Sequence, residues 1–165
     1  MLRPHGIDRR AVRGNDLRPG SEIAHAWLWM LAWIALVQIF ASGLFSASET
    51  SRLIGPLLRW LFPNADAESL AIAHFAIRKA AHFVEYAILA LLALHTFRLS
   101  FDQPPARLAA ASLVLALAVA VVDESRQAAS ADRTGALSDI ALDISGAASA
   151  LALASALRRR RSVRA

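Results

Sequence analysis

The residues able to do chemistry fall in three apolar stretches of the chain. The first stretch holds His74, Arg78, Lys79, His82, Glu85 and Tyr86. The second ends on Asp123, Glu124 and Gln127, and the third opens after Arg133 with Asp139 and Asp143. On a helix, Arg78, His82 and Glu85 share one face, and Lys79, His82 and Tyr86 share the adjoining one. Asp123 and Gln127 are four residues apart, as are Asp139 and Asp143. Beyond Asp143 the same face continues through Gly146, Ala150 and Ala154. Small residues at that spacing admit a second helix at close range. The carboxylates therefore lie on a close-packing stripe and are expected to face other helices rather than lipid.

Three kinds of chemistry fit these residue types. Arg78, Lys79 and Arg133 can contact an anionic group while His82 and the carboxylates orient it. His82, polarised by Glu85 or Asp139, can act as a general base, with Asp123 or Glu124 as the acid. No serine or threonine is fixed beside His82 by spacing, so the pattern gives no support to a covalent nucleophile. The third reading is a structural one, in which Lys79, Glu85, Arg133 and Asp139 form salt bridges that set helix register. His82 followed by Glu85 reverses the Glu-x-x-His order of di-metal bundles and occurs once, so no metal centre and no cofactor are expected. The chain has no cysteine, which excludes a disulfide framework, a thiol nucleophile and a thiolate metal site.

The elements that carry these residues follow from hydropathy. The 165 residues are 56% hydrophobic and 19% charged, against about a quarter charged in a soluble domain. The apolar residues come in long blocks, which point to membrane spans. No Asp, Glu, Lys or Arg occurs between Glu22 and Glu49, so the first span has its core at Ile23 to Leu44. That length favours a retained helix over a cleaved signal peptide. Further spans are expected near Lys79 to Phe97, Leu108 to Glu124 and Asp139 to Leu157. Ser51 to Phe62 is too short to cross and reads as an amphipathic helix on the membrane surface, with Gly55-Pro56 as its weak point. His25, His74 and His95 read as interfacial histidines. The predicted fold class is all-α, a four-helix transmembrane bundle with a short interfacial helix between spans one and two.

Length then draws the charges inward. The charge-free stretches Tyr86–Phe97, Leu108–Val122 and Ile144–Leu157 are all shorter than the roughly 17 residues a crossing requires. Each span must include its neighbouring ionisable groups. A lipid-exposed charge at mid-bilayer costs about 2.5–3.5 kcal/mol. Several would exceed the roughly 5–15 kcal/mol that holds a small protein folded, so these groups must pair, sit near an interface or line a polar cavity.

The formal charge is +5, with arginines concentrated at the two ends. Charge flanking apolar spans is a topology signal, and no nucleic-acid motif accompanies it, so no nucleic-acid partner is expected. Basic ends place both termini in the cytoplasm, with residues 1–21 as a disordered basic tail, 22–157 as the membrane domain and 158–165 as a second basic tail. The three polar clusters then fall on the outer side of the bilayer.

The segment Ile77 to Leu92 (IRKAAHFVEYAILALL) resembles the first signature of the VanZ-like family of integral membrane proteins. DESRQ at Asp123 to Gln127, RTGALSD at Arg133 to Asp139, and Asp143 with Gly146 resemble its second. FSASETS, Phe45 to Ser51, is similar to the serine-rich exit of the family's first span. The resemblance covers about Ile23 to Leu157. It carries over Lys79, His82, Glu85, Asp123, Glu124, Gln127, Arg133 and Asp139. It departs at Arg126 (often histidine), Asp143 (often asparagine) and Asp132 (often glycine). The family is named for a protein associated with low-level teicoplanin resistance in bacteria. The resemblance thus implies a multi-pass protein of the bacterial cytoplasmic membrane. The expected role is binding or remodelling of a lipid-linked or anionic cell-envelope component at the outward polar cluster, with a link to glycopeptide resistance. An intramembrane enzyme acting on a lipid-linked substrate and a purely structural network are the alternatives.

Overall fold

The computed structural model describes residues 18–40, 47–128 and 137–164. They form five helices: α1 (Arg18–Phe40), α2 (Ala47–Leu61), α3 (Ala67–Ser100), α4 (Pro105–Ala128) and α5 (Leu137–Arg164). No strand occurs among the described residues. Arg133, residues 1–17 of the basic tail, residues 41–44 of the first span's predicted core and residues 45–46 of the serine-rich exit lie outside the described residues.

The helix boundaries follow local signals. Asp66 caps α3 by accepting a hydrogen bond from the Ser69 backbone N–H at 2.7 Å, and Glu68 sits in the first turn, where the helix dipole favours an acid. Pro105 opens α4, the helix position that needs no backbone N–H. The α3–α4 turn is closed by Phe101 N–H donating to the Phe97 carbonyl at 2.9 Å and Arg107 N–H to Pro104 at 2.9 Å. Gly55-Pro56 does not break α2, which runs through Pro56 with Leu58 buried.

Two helices are longer than the hydropathy predicts. α3 begins at Ala67 rather than near Lys79 and has 34 residues, about 51 Å of helix against a hydrocarbon core of about 30 Å. Its first turns, AESLAIAHFAIR, contain no breaker and follow a good cap, so propensity extends the helix past the point where charges begin. α5 likewise continues through the terminal arginines, which are good helix formers.

α1, α3, α4 and α5 are each long and apolar enough to cross a membrane. α3 is central and packs most extensively on α5. α1 lies antiparallel to α3: Thr96 Oγ1 donates to the Ala26 carbonyl at 3.1 Å, Trp27 Nε1 to Ser100 Oγ at 2.9 Å, and Trp33 Nε1 to the Glu85 carbonyl at 3.0 Å. α5 runs parallel to α3, since Lys79 meets Asp139 and His82 meets Asp143 one turn further on. The core is built from Val37 of α1, Tyr86, Leu89, Ala90 and Leu94 of α3, Ala116 and Ala120 of α4, and Ala147 and Leu151 of α5. Alanine at so many contacts brings the backbones close, the packing mode of helices in lipid. Large side chains such as Leu31, Val114, Leu117, Val122 and Leu153 point outward. That distribution suits an acyl-chain solvent and identifies a multi-pass membrane protein.

Candidate functional site: a buried polar cluster

Gly146 makes the cluster possible. A Cβ at that position would fall on the Phe83 carbonyl oxygen, so only glycine lets α5 press against the α3 backbone there. The contact sets the register that aligns Lys79 with Asp139 and His82 with Asp143. Lys79 Nζ forms an ion pair with Asp139 Oδ1 and lies 5.3 Å from the Phe75 ring centroid, a cation–π contact. His82 Nδ1 stands 3.6 Å from Asp143 Oδ1, just beyond hydrogen-bond reach. His82 is half-buried and Asp143 is buried.

α4 adds the third side. Asp123 and Gln127 are buried, and Gln127 Nε2 donates to Asp123 Oδ2 at 3.3 Å. Tyr86 is fully buried, and its hydroxyl lies in the electrostatic reach of Asp143, Asp123, Glu85 and Glu124. Glu85 and Asp123 also act on His82 through space. α3, α4 and α5 therefore bring together Lys79, His82, Glu85, Tyr86, Asp123, Glu124, Gln127, Asp139 and Asp143 at one end of the bundle. Arg78 is half-buried on the same turn of α3 as Lys79.

The partners differ from those the spacing suggests. The carboxylate facing the His82 ring from another helix is Asp143; Asp139 is taken by Lys79. Arg126 donates to Gln38 Oε1 of α1 at 2.7 Å rather than to a carboxylate. The described interior is consequently rich in carboxylates. Trp33 and Gln38 on the first span also join this end of the bundle, a role that no charge or spacing in α1 announces.

The cluster's members do not satisfy one another's hydrogen-bonding capacity. His82 Nδ1, Tyr86 Oη, Asp123 Oδ1 and Asp143 Oδ1 are buried and have no hydrogen-bond partner among the described residues. Each such group carries a cost of about 1–3 kcal/mol relative to a satisfied one. The arrangement offers carboxylate acceptors to incoming donors and a phenol that can donate or accept. Among the described residues, no group of three or more His, Cys, Asp or Glu side chains is placed to hold a metal ion.

Fold and site together define an all-α multi-pass membrane protein whose spans enclose a polar cluster at one end. A model of the VanZ/LLP1 family matches residues 24–158, and the chain belongs to that family. No curated protein and no solved structure matches it.

Proposed function

We propose that the polar cluster binds the headgroup of a cell-envelope component, a lipid-linked molecule that carries both an anionic group and hydroxyl, amide or ammonium donors. The observation that carries this reading is the set of buried polar atoms on Tyr86, His82, Asp123 and Asp143 with unused hydrogen-bonding capacity. Asp123 and Asp143 accept from the ligand's donors. Arg78, Lys79 and Arg133 contact its anionic group, with Glu85, Glu124, Gln127 and Asp139 orienting those cations and the ligand. The protein sits in the bacterial cytoplasmic membrane with both termini inside, so the cluster opens outward. A ligand of this chemistry also suits a part in glycopeptide resistance, through capture or remodelling of the molecule that teicoplanin recognises.

The test is binding of lipid-linked envelope precursors to the purified protein in nanodiscs. Tyr86→Phe and Asp123→Asn each weaken binding about tenfold, the worth of one hydrogen bond involving a charged group. Arg133→Ala weakens it similarly. Wild-type affinity in all three variants overturns the proposal.

A second reading rests on the His82–Asp143 approach of 3.6 Å. A carboxylate at this distance closes to a hydrogen bond when substrate binds, and it then holds the ring's tautomer and supports it as a general base. In that case the protein is an intramembrane enzyme on the same class of substrate, with Asp123 or Glu124 as proton donor. Turnover that disappears in His82→Ala and Asp143→Asn, with thermal stability retained, establishes it; binding without turnover in the wild type removes it.

A further inference from the structure

α2 packs against α3, and the first turns of α3 stand beyond the start of α5. α5 begins two residues before Asp139, and Asp139 is level with Lys79. Residues 67–78 of α3, about 18 Å of helix, therefore extend past the start of α5. A cavity of about 560 Å³ lies between this extension and α2, with Gly55, Leu58, Arg59, Phe62, Leu70 and His74 among its lining residues. That volume lies within the range of small-molecule sites, about 300–1,000 Å³.

Three features of the cavity define its ligand. Arg59 is exposed and makes no ion pair among the described residues. His74 Nε2 is buried and has no hydrogen-bond partner among them. The remaining walls are mainly apolar, and a Cβ on Gly55 would meet nothing within 4 Å, so the space beside it is open. Around α2 and these turns, Leu57, Trp60 (76% exposed), Ile72 and Phe75 form an outer surface that water penalises and acyl chains would cover. One cation, one unsatisfied imidazole nitrogen and apolar walls are complementary to an amphiphile with a phosphate.

We propose that this cavity holds one anionic phospholipid drawn from the adjoining leaflet. Its phosphate lies on Arg59, its headgroup bonds His74 Nε2, and the start of an acyl chain packs against Leu58, Phe62 and Leu70. His74, Arg78 and His82 recur every four residues on α3, so the bound headgroup lies on the stripe that leads to the polar cluster.

The experiment uses the full chain in nanodiscs of mixed phosphatidylcholine and phosphatidylglycerol, with retained lipid counted by native mass spectrometry after release. The wild type retains phosphatidylglycerol in preference to phosphatidylcholine. Arg59→Gln lowers that retention about tenfold, the worth of a charge-assisted bond to phosphate. Gly55→Leu places a side chain in the open space beside α2 and lowers retention in protein whose thermal unfolding shows it to be folded. Wild-type retention in both variants overturns the proposal, as does equal retention of the two lipids. Displacement of the lipid by excess inorganic phosphate also overturns it, because the site then takes free phosphate. Neither substitution alters a member of the polar cluster, so the outcome stands apart from the envelope-ligand reading.

Discussion

Gly146 of α5 lies directly against the backbone carbonyl of Phe83 in α3, with no room for even a methyl group between them. The obstacle is backbone, which cannot rotate away as a side chain would. Gly146→Ala should therefore destabilise the bundle. Overpacking costs about 1–3 kcal/mol, against at most about 1 kcal/mol returned by alanine's better helix propensity. Gly20→Ala in α1 is the matched control: nothing lies within 4 Å of a Cβ there apart from its chain neighbours and its own helix, so helix propensity acts and stability does not fall. Unfolding in detergent mixtures reads both. Equal effects of the two substitutions would mean that the α3–α5 contact does not set the register.

That contact also explains what the sequence could and could not reveal. The four spans were legible because apolar blocks of sufficient length have few other uses. The inclusion of Asp123 and Asp143 within helices was legible too, from arithmetic on charge-free lengths. The extension of α3 to Ala67 was not, because hydropathy marks where lipid ends whereas capping and propensity decide where the helix ends. The choice of Asp143 rather than Asp139 for His82 depends on the parallel register of α3 and α5. Helix faces can be read from spacing, but which turn meets which is decided by a glycine lying on a carbonyl. The Trp33 indole reaches a backbone acceptor at Glu85, and a backbone acceptor leaves no trace in residue types.

The Lys79–Asp139 pair separates a structural role from a functional one. Its side chains are 29% and 25% exposed, so removing either partner strands a partly desolvated charge. A double-mutant cycle of Lys79→Ala and Asp139→Ala should show coupling of about 0.5–3 kcal/mol. The exchange Lys79→Asp with Asp139→Lys should restore stability, since the ion pair re-forms with its ends reversed. It should not restore binding of the envelope precursor, whose anionic group meets Lys79. Recovery of both properties would assign the pair to helix register alone.

The Trp33–Glu85 hydrogen bond fixes α1 against the motif turn of α3. Trp33→Phe removes the donor while keeping most of the ring, and the expected loss is about 0.6–1 kcal/mol, typical of hydrogen bonds between spans. Hydrogen exchange should quicken around Glu85 more than at the opposite end of α3, where Thr96 and Trp27 hold α1 independently. Uniform acceleration along α3 would contradict local anchoring.

Asp66 supplies a pH dependence at the start of α3. The Ser69 backbone N–H, and then the Ser69 hydroxyl, hold its carboxyl below the usual aspartate range. A lowered pKa in the folded state means that the ionised cap stabilises the helix. The contribution is complete above the ordinary aspartate value of about 4 and fades as pH falls through the lowered one. Amides of the first α3 turn should therefore lose exchange protection below pH of about 4. Asp66→Asn keeps an acceptor for the cap and should abolish that pH dependence. Persistence of the dependence in Asp66→Asn would trace it to another group.

The direction in which the cluster opens can be read from a single label. The chain contains no cysteine, so one introduced thiol reports only its own position. Asn64 lies in the exposed α2–α3 turn, just before the start of α3, and Asp102 in the exposed α3–α4 turn at the other end of α3. Arginine-rich termini predict a cytoplasmic N-terminus, and α1 then delivers the polar cluster to the outer side. A membrane-impermeant maleimide applied to spheroplasts should label Asn64→Cys and leave Asp102→Cys untouched until the membrane is opened. The reverse pattern would turn the cluster toward the cytoplasm. An envelope component exposed only on the outer surface could then not reach Asp123 and Asp143, and the proposed ligand class would have to be one present on the inner leaflet.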